Sequence, residues 1–167
     1  MIDKFMLLLC MLGLQVTCTA QNYRPGLLFR EDWKEIPAEI PVSQKHISNP
    51  DVLFASYGPG LDSLKKSHHD QPVDDPYYVW SGLCLEPWAI TLRHRAQLAD
   101  MNESAKIRWR TKQAGFHELR ILLRLDDGQW LISEQSDGPS QDWRVREFNM
   151  ADIRWWVFNI NTMSEVR

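Results

Sequence analysis

The sequence predicts an all-β fold, an antiparallel β-sandwich. Nine short runs of apolar or alternating residues recur between turn signals along the 167 residues, and this spacing is typical of β-sandwiches and barrels. Helices are poorly supported, because the candidate windows, 62–66 and 96–101, are short and carry no repeated apolar stripe. We find no internal repeat and no long linker, so residues 21–167 are predicted to form one domain.

The predicted strands are bounded by Gly, Pro, Asn and Asp. They lie at 27–33, 52–57, 77–85, 88–94, 105–111, 119–125, 129–134, 144–148 and 154–160. The segment 36–71 contains four prolines and is expected to form loops around the strand 52–57. The clearest hairpin joins 119–125 to 129–134 through Asp126-Asp127-Gly128, because Asp-Gly adopts the backbone conformations that a tight turn requires.

Residues 1–20 predict an export signal. A basic residue precedes a short apolar run, and Cys18-Thr19-Ala20 fits the pattern that signal peptidase cleaves. We therefore expect a secreted or periplasmic protein that begins at Gln21 and has no transmembrane segment; lipidation of Cys18 is the alternative. Cleavage would leave only Cys84, which we expect to be a buried small hydrophobe rather than a reactive thiol.

A cationic sheet face is predicted from alternation in the central strands. In the strand 105–111, Ile107 and Trp109 face the core, so Lys106, Arg108 and Arg110 face the other way. The neighbouring predicted strands leave further residues on their outer sides: Arg93, Arg95, Arg120, Leu122 and Arg124. Residues 88–125 hold eight Lys and Arg against three Asp and Glu.

This cationic face suits an anionic glycan, provided that its strands are neighbours in one sheet. Guanidinium groups recognise carboxylates and sulfates through paired hydrogen bonds, which makes Arg108, Arg110 and Arg120 candidate ligand-binding residues. The alternative is that acidic loops fold over the face and pair with it. The net charge of −3 excludes little. We expect a polysaccharide or other glycan as partner and no nucleic acid.

A second cluster, within 65–80, combines imidazoles, carboxylates and aromatic rings at the entry to a strand. Tyrosine and tryptophan rings stack on the apolar faces of sugars, while imidazoles bind hydroxyl groups. The candidates for sugar binding are His68, His69, Tyr77, Tyr78 and Trp80. Alternation places Tyr77 and Val79 on one side of the strand and Tyr78 and Trp80 on the other, so at most half can be displayed together.

The same cluster offers weaker signals for a metal and for catalysis. Adjacent histidines rarely converge on one ion, which disfavours zinc, whereas Asp70, Asp74 and Asp75 provide the oxygen ligands that calcium prefers. For glycoside hydrolysis or β-elimination, the pairs Asp70 with Asp75 and His69 with Tyr78 are near in sequence. No spacing selects either pair, so we assign no catalytic residue.

The stretch 115–143, GFHELRILLRLDDGQWLISEQSDGPSQDW, resembles the jelly-roll β-sandwiches of the galactose-binding-like superfamily and of many carbohydrate-binding modules. The resemblance extends loosely over 26–160, and LLFREDW resembles the edge strand with which such modules open. It implies non-catalytic glycan binding, often with a structural calcium. The chain also resembles exported bacterial proteins. It departs from the jelly-roll pattern after 155–160, where no second apolar run follows, so we expect either that the last strand of the fold is missing or that the first strand lies on an open edge.

We therefore predict a secreted, non-catalytic carbohydrate-binding protein that recognises polysaccharide. Two alternatives remain open at this point. One is a glycan-active enzyme, a glycoside hydrolase or polysaccharide lyase, and the other is a cell-surface module that binds another protein. The fold class does not separate these three functions, because β-sandwiches carry many.

Overall fold

The computed structural model describes residues 26–101, 104–115 and 117–166, and in them the fold is all-β. The strands in these ranges are β1 (Val52–Tyr57), β2 (Lys65–Ser67), β3 (Tyr78–Trp80), β4 (Ala89–His94), β5 (Lys106–Thr111), β6 (Leu119–Arg124), β7 (Trp130–Asp137), β8 (Arg144–Asn149), β9 (Trp155–Asn159) and β10 (Ser164–Glu165). The helical turns of the described residues are three short 3₁₀ segments, Gln44–His46, Leu61–Ser63 and Met150–Asp152. The predicted all-β class is confirmed.

The described strands pair antiparallel in four sheets. The largest has the order β10-β9-β7-β6, and the other three are the pairs β1-β4, β2-β3 and β5-β8. The predicted hairpin is confirmed as β6-β7, in which Leu123 pairs with Leu131. Its turn is closed by a hydrogen bond from the Leu125 amide to the Gln129 carbonyl (2.8 Å), and Gly128 has a φ of +90°, which glycine adopts without strain.

Three hydrophobic clusters hold these sheets together in layers. Ile121 and Leu123 of β6 pack with Trp109 of β5 and Phe148 of β8, so the β5-β8 pair covers one face of the large sheet. Leu122, on the opposite side of β6, packs in a second cluster that includes Ala89 of β4, so the β1-β4 pair covers the other face. This face-to-face packing is that of a β-sandwich. It corrects the expectation that Leu122 points outward.

The third cluster joins β1-β4 to β2-β3. Val42, Leu64 and Cys84 are its buried members, and Phe54 of β1 and Val79 of β3 pack against it. Cys84 is 6 % exposed, and its thiol donates to the Gly60 carbonyl (3.3 Å). The prediction that Cys84 is a buried small hydrophobe is confirmed.

A buried carboxylate links β5, β7 and β8. Asp137 is fully buried and accepts hydrogen bonds from Trp109 Nε1 (3.0 Å), Thr111 Oγ1 (2.7 Å) and the Arg144 guanidinium. Desolvation opposes its charge, but these hydrogen bonds outweigh that effect and hold the pKa of Asp137 below its ordinary value. Arg146 also lies 3.6 Å from this carboxylate, so part of the positive charge of β8 is neutralised inside the fold.

Two strand predictions are corrected. Residues 27–33 form no strand, because Trp33 has a φ of +62° and the Glu31 carboxylate accepts the amides of Trp33, Ser48 and Asn49 in place of a strand partner. The predicted strand 77–85 is limited to β3, since a hydrogen bond from the Cys84 amide to the Ser81 carbonyl (2.9 Å) turns the chain.

The segment after β9 also differs from the expectation. Ser164 and Glu165 form the short strand β10, although they are not apolar, and Glu165 pairs with Phe158 of β9. The predicted export signal, residues 1–20, lies outside the described residues. Within the described part of the chain, no helix has the length and apolar character needed to cross a membrane.

Candidate functional site

The β2-β3 pair divides the predicted sugar-binding residues between two faces. Lys65 pairs with Trp80, Lys66 with Val79, and Ser67 with Tyr78. Because side chains alternate along a strand, Lys65, Tyr78 and Trp80 lie on one side, which we name the outer face. Lys66 and Val79 lie on the other side, the inner face, where Val79 packs on the third cluster.

Three aromatic side chains follow one another along the outer face and form what we name the aromatic row, Trp80, Tyr78 and Trp143. Tyr78 and Trp80 are two residues apart on β3, about 7 Å along the strand. The Tyr78 ring meets the Trp143 ring edge to face, with centroids 5.3 Å apart. Trp80 is 42 % exposed, and its indole packs so closely on Gly82 that a methyl group at position 82 would collide with it.

Asp75 anchors Trp143, at one end of the row, to His69. Its carboxylate is 6 % exposed and accepts Trp143 Nε1 (3.1 Å), the His69 amide (3.3 Å) and His69 Nδ1 (3.0 Å). Desolvation opposes the charge of this carboxylate, but the hydrogen bonds from His69 and Trp143 outweigh it and hold the pKa of Asp75 below its ordinary value. Asp75 therefore ties the loop before β3 to the loop before β8.

The contact between Tyr78 and His69 is a packing contact. The Tyr78 hydroxyl lies 3.1 Å from both His69 Nδ1 and His69 Nε2. An oxygen in the imidazole plane at equal distance from both nitrogens would collide with the Cε1 carbon between them, so the hydroxyl lies over the face of the ring. In-plane lone pairs and N–H groups make the strong hydrogen bonds of histidine. Tyr78 and His69 are therefore near each other without the alignment of a proton relay.

Cations flank both ends of the aromatic row. The Arg110 guanidinium, from β5, lies 5.5 Å from the centre of the Trp143 ring, and the Lys65 ammonium lies 6.0 Å from the centre of the Trp80 ring. His69, with a side chain 66 % exposed, stands beside Tyr78. Four predicted candidates, His69, Tyr78, Trp80 and Arg110, are thus on or beside one face.

The predicted cationic sheet face is not formed, because β4, β5 and β6 lie in three different sheets. The alternation itself is correct for β5, where Lys106, Arg108 and Arg110 are exposed and the residues between them are half-buried. Arg120 is elsewhere on the molecule. Its guanidinium donates to the Ser133 carbonyl (2.6 Å) and to Glu165 (2.7 Å), which pairs this cation internally.

The inner face has a different character. The His68 ring stacks on Tyr77 with centroids 4.0 Å apart and planes 13° apart. The Lys66 ammonium also lies 4.0 Å from the Tyr77 ring centre, and it must occupy the opposite face because His68 fills the first. Lys66 is fully buried and donates to the Ile36 carbonyl (2.8 Å). Both faces of Tyr77 are thus covered.

Two open clefts adjoin this inner face, with volumes of about 350 and 410 Å³. They share Glu35, His68 and Tyr77. Carboxylates dominate the polar part of their lining: Asp32, Glu35, Asp70 and Asp74. These acidic clefts would repel a polyanion, so the two sides of β2-β3 differ in charge as well as in ring accessibility.

The described residues do not provide the set of ligands expected for a calcium site. No group of three or more His, Cys, Asp or Glu side chains in 26–101, 104–115 and 117–166 could hold a metal ion. Asp70 lines one cleft, Asp74 lines the other, and the Asp75 carboxylate is already bound by His69 and Trp143.

The comparisons with known proteins give no relative for this site. The chain matches no family model, no curated protein and no solved structure. The galactose-binding-like resemblance therefore stays a prediction. Trp143 was not predicted as a site residue, and Asp75 was considered only as a calcium ligand or as one of a catalytic pair. Their shared role was not predicted, since the hydrogen bond between them joins positions that are 68 residues apart.

Proposed function

We propose that this protein recognises carbohydrate without modifying it, and that the aromatic row on the outer face is the binding surface. The observation that carries this proposal is the placement of Trp80, Tyr78 and Trp143 in succession on one face, with Trp80 42 % exposed. Three rings from two separate segments form a surface that could follow successive sugar units.

The surroundings of the row supply the polar contacts that a sugar requires. Sugar rings have apolar faces, which suit aromatic side chains, and hydroxyl groups at their edges, which need hydrogen-bond partners. Lys65, His69 and Arg110 stand beside the rings and offer such partners.

The sequence of residues 1–20 supports a place of action outside the cytoplasm. Extracellular and periplasmic polysaccharides are then the accessible carbohydrates. We accordingly propose that the protein is secreted or periplasmic and binds polysaccharide there.

The test is a glycan array with the purified protein, covering neutral, uronic-acid and sulfated polysaccharides at low and moderate salt, with and without calcium. The variant Trp80→Ala is expected to bind at least tenfold more weakly, a change of about 1.4 kcal/mol. Trp156→Ala is the matched control, because Trp156 is 47 % exposed but belongs to β9 in the large sheet. Its binding should equal that of the unmodified protein.

Three results would contradict the proposal. Equal losses of glycan affinity in the Trp80→Ala and Trp156→Ala variants would show that binding does not depend on the aromatic row in particular. Release of new reducing ends, or of an unsaturated uronide, would favour a glycan-active enzyme. No binding by folded protein to any glycan on the array would favour a protein-interaction module.

A further inference from the structure

The outer side of the β5-β8 pair continues the aromatic row. Arg110 pairs with Val145, and Trp143 lies two residues before Val145, so all three share one side of the pair. The Arg110 guanidinium lies over the Trp143 ring at 5.5 Å, and Trp143 meets Tyr78 at 5.3 Å. The surface is therefore continuous from β5 to β3.

This part of the surface is basic. Lys106, Arg108 and Arg110 are all exposed on β5, and the residues that pair with them on β8 are Asn149, Glu147 and Val145. Among these six residues Glu147 carries the one carboxylate, and its Oε1 lies 2.6 Å from Lys106 Nζ. Three cations against one carboxylate leave a positive surface, and Lys65 adds a fourth cation beside Trp80.

The length of the surface exceeds that of a single sugar. Lys106 and Arg110 are four residues apart on one strand, about 13 Å, and Tyr78 and Trp80 add about 7 Å. With the 5.3 Å step from Trp143 to Tyr78, the path along the surface is roughly 25 Å long. A ligand that uses all of it must be a chain of several units.

We propose that the ligand is an anionic polysaccharide that lies along this surface, with its sugar rings on the aromatic row and its acidic groups on Arg108 and Arg110. This inference rests on the proposed function and adds the charge and length of the ligand. Guanidinium groups bind carboxylates and sulfates with paired, charge-assisted hydrogen bonds. The acidic clefts of the inner face are on the other side of β2-β3, so the polyanion is directed to the outer face.

The test compares oligosaccharides that differ in charge or length alone. The probes are the octamer of galacturonic acid, its fully methyl-esterified form, the galacturonic acid dimer and, as a sulfated polyanion, heparin. Calorimetry should show binding of the acidic octamer or of heparin that weakens as salt is raised, because salt screens exposed charges. The esterified octamer and the dimer should bind more weakly by an order of magnitude or more.

Arg108→Gln and Arg93→Gln form the matched pair of variants. Both arginines are exposed on strands, but Arg93 belongs to β4 in a different sheet. Arg108→Gln should weaken binding of the acidic probe about fivefold, the upper end for an exposed ion pair. Arg93→Gln should leave the affinity unchanged.

Equal binding of the acidic and esterified octamers would overturn the inference, as would equal losses in the two variants. Failure of both galacturonate and heparin to bind would also overturn it. If galacturonate and heparin fail to bind but neutral polysaccharides bind the aromatic row, the proposed function stands and only the anionic ligand is refuted. If no carbohydrate of any charge binds the folded protein, the proposed function itself fails.

Discussion

Tyr77 and Trp80 lie three residues apart in the same predicted strand, yet their rings have opposite environments. Tyr77 is half-buried: its ring lies between the His68 ring and the Lys66 ammonium, each 4.0 Å from its centre, and it also lines both clefts. Trp80 packs on Gly82 and is 42 % exposed, with the Lys65 ammonium 6.0 Å from its ring. The comparison teaches that the neighbours of an aromatic ring, more than its residue type, decide which part of the ring a ligand can reach.

The two lysines that precede these rings show the same contrast. Lys65 and Lys66 are consecutive, so they point to opposite sides of β2. Lys66 is fully buried and joins Ile36 to Tyr77, whereas Lys65 is only half-buried. One lysine therefore holds the inner face together, and the other contributes charge to the outer face.

The largest expected difference concerns stability. Tyr77→Ala should lower the free energy of unfolding by about 3 kcal/mol, because it removes the ring between His68 and Lys66 and leaves a buried ammonium without its aromatic contact. Trp80→Ala should cost about 1 kcal/mol, since much of its ring is already in water. Urea unfolding of the two variants measures both values. Equal losses would mean that the inner and outer rings do not differ as described.

The contribution of Lys66 to the free energy of unfolding should depend on pH, and this dependence distinguishes the buried Lys66 from the half-buried Lys65. Burial lowers the pKa of Lys66, so the unfolded chain binds more protons than the folded protein between that lowered pKa and the ordinary lysine value near 10.4. The free energy of unfolding should therefore rise with pH in this interval. Lys66→Met should remove the rise, because methionine keeps most of the buried stem and does not titrate.

Lys65→Met is the control for this pH dependence. Lys65 is only half-buried, so its replacement should leave the slope of stability against pH as it is in the unmodified protein. The measurement is urea unfolding at a series of alkaline pH values for the three proteins. A rise that persists in Lys66→Met would assign the dependence to another group.

Sequence patterns predicted much of the fold because most strands are marked locally. Alternation identified the half-buried side of β5, and Asp127-Gly128 identified the β6-β7 turn. The run 27–33 also has a strand-like pattern, but the Glu31 carboxylate accepts hydrogen bonds from the amides of Trp33 and Ser48, and Trp33 adopts a positive φ. A side chain that competes for backbone hydrogen bonds is not visible in a pattern of apolar residues.

The candidate site was predictable only in part, because it depends on contacts between distant segments. Alternation separated Tyr77 from Tyr78 and Trp80, but it could not show that His68 and Lys66 cover Tyr77. The order of the strands in the sheets could not be predicted either. β5 pairs with β8 and β6 with β7, so the cations of β5 and β6 do not form one face. Sheet pairing is a property of the whole chain, whereas alternation belongs to one strand.

The smallest expected effect comes from Gly82, on which the exposure of Trp80 depends. A methyl group at this position would collide with the Trp80 indole, so Gly82→Ala should displace the ring from the outer face. Gly82 is not among the described glycines with positive φ, so alanine causes no backbone strain and the change isolates the ring contact. We expect a stability loss of about 1 kcal/mol or less, from repacking of a surface ring, together with severalfold weaker binding of whichever glycan the array identifies.

Gly26→Ala is the control for Gly82→Ala, because a methyl group at position 26 meets open space. Because the chain has eight tryptophans, the contribution of Trp80 is isolated as the difference between spectra recorded with and without Trp80→Ala, in the Gly82 and the Gly82→Ala backgrounds; calorimetry reports the affinity. A displaced ring with unchanged affinity would remove Trp80 from the binding surface and leave Tyr78 and Trp143 as its aromatic part. An unchanged difference spectrum for Trp80 would mean that the indole does not rest on Gly82. The contrast between Trp80 and Tyr77 would then need another cause than the glycine.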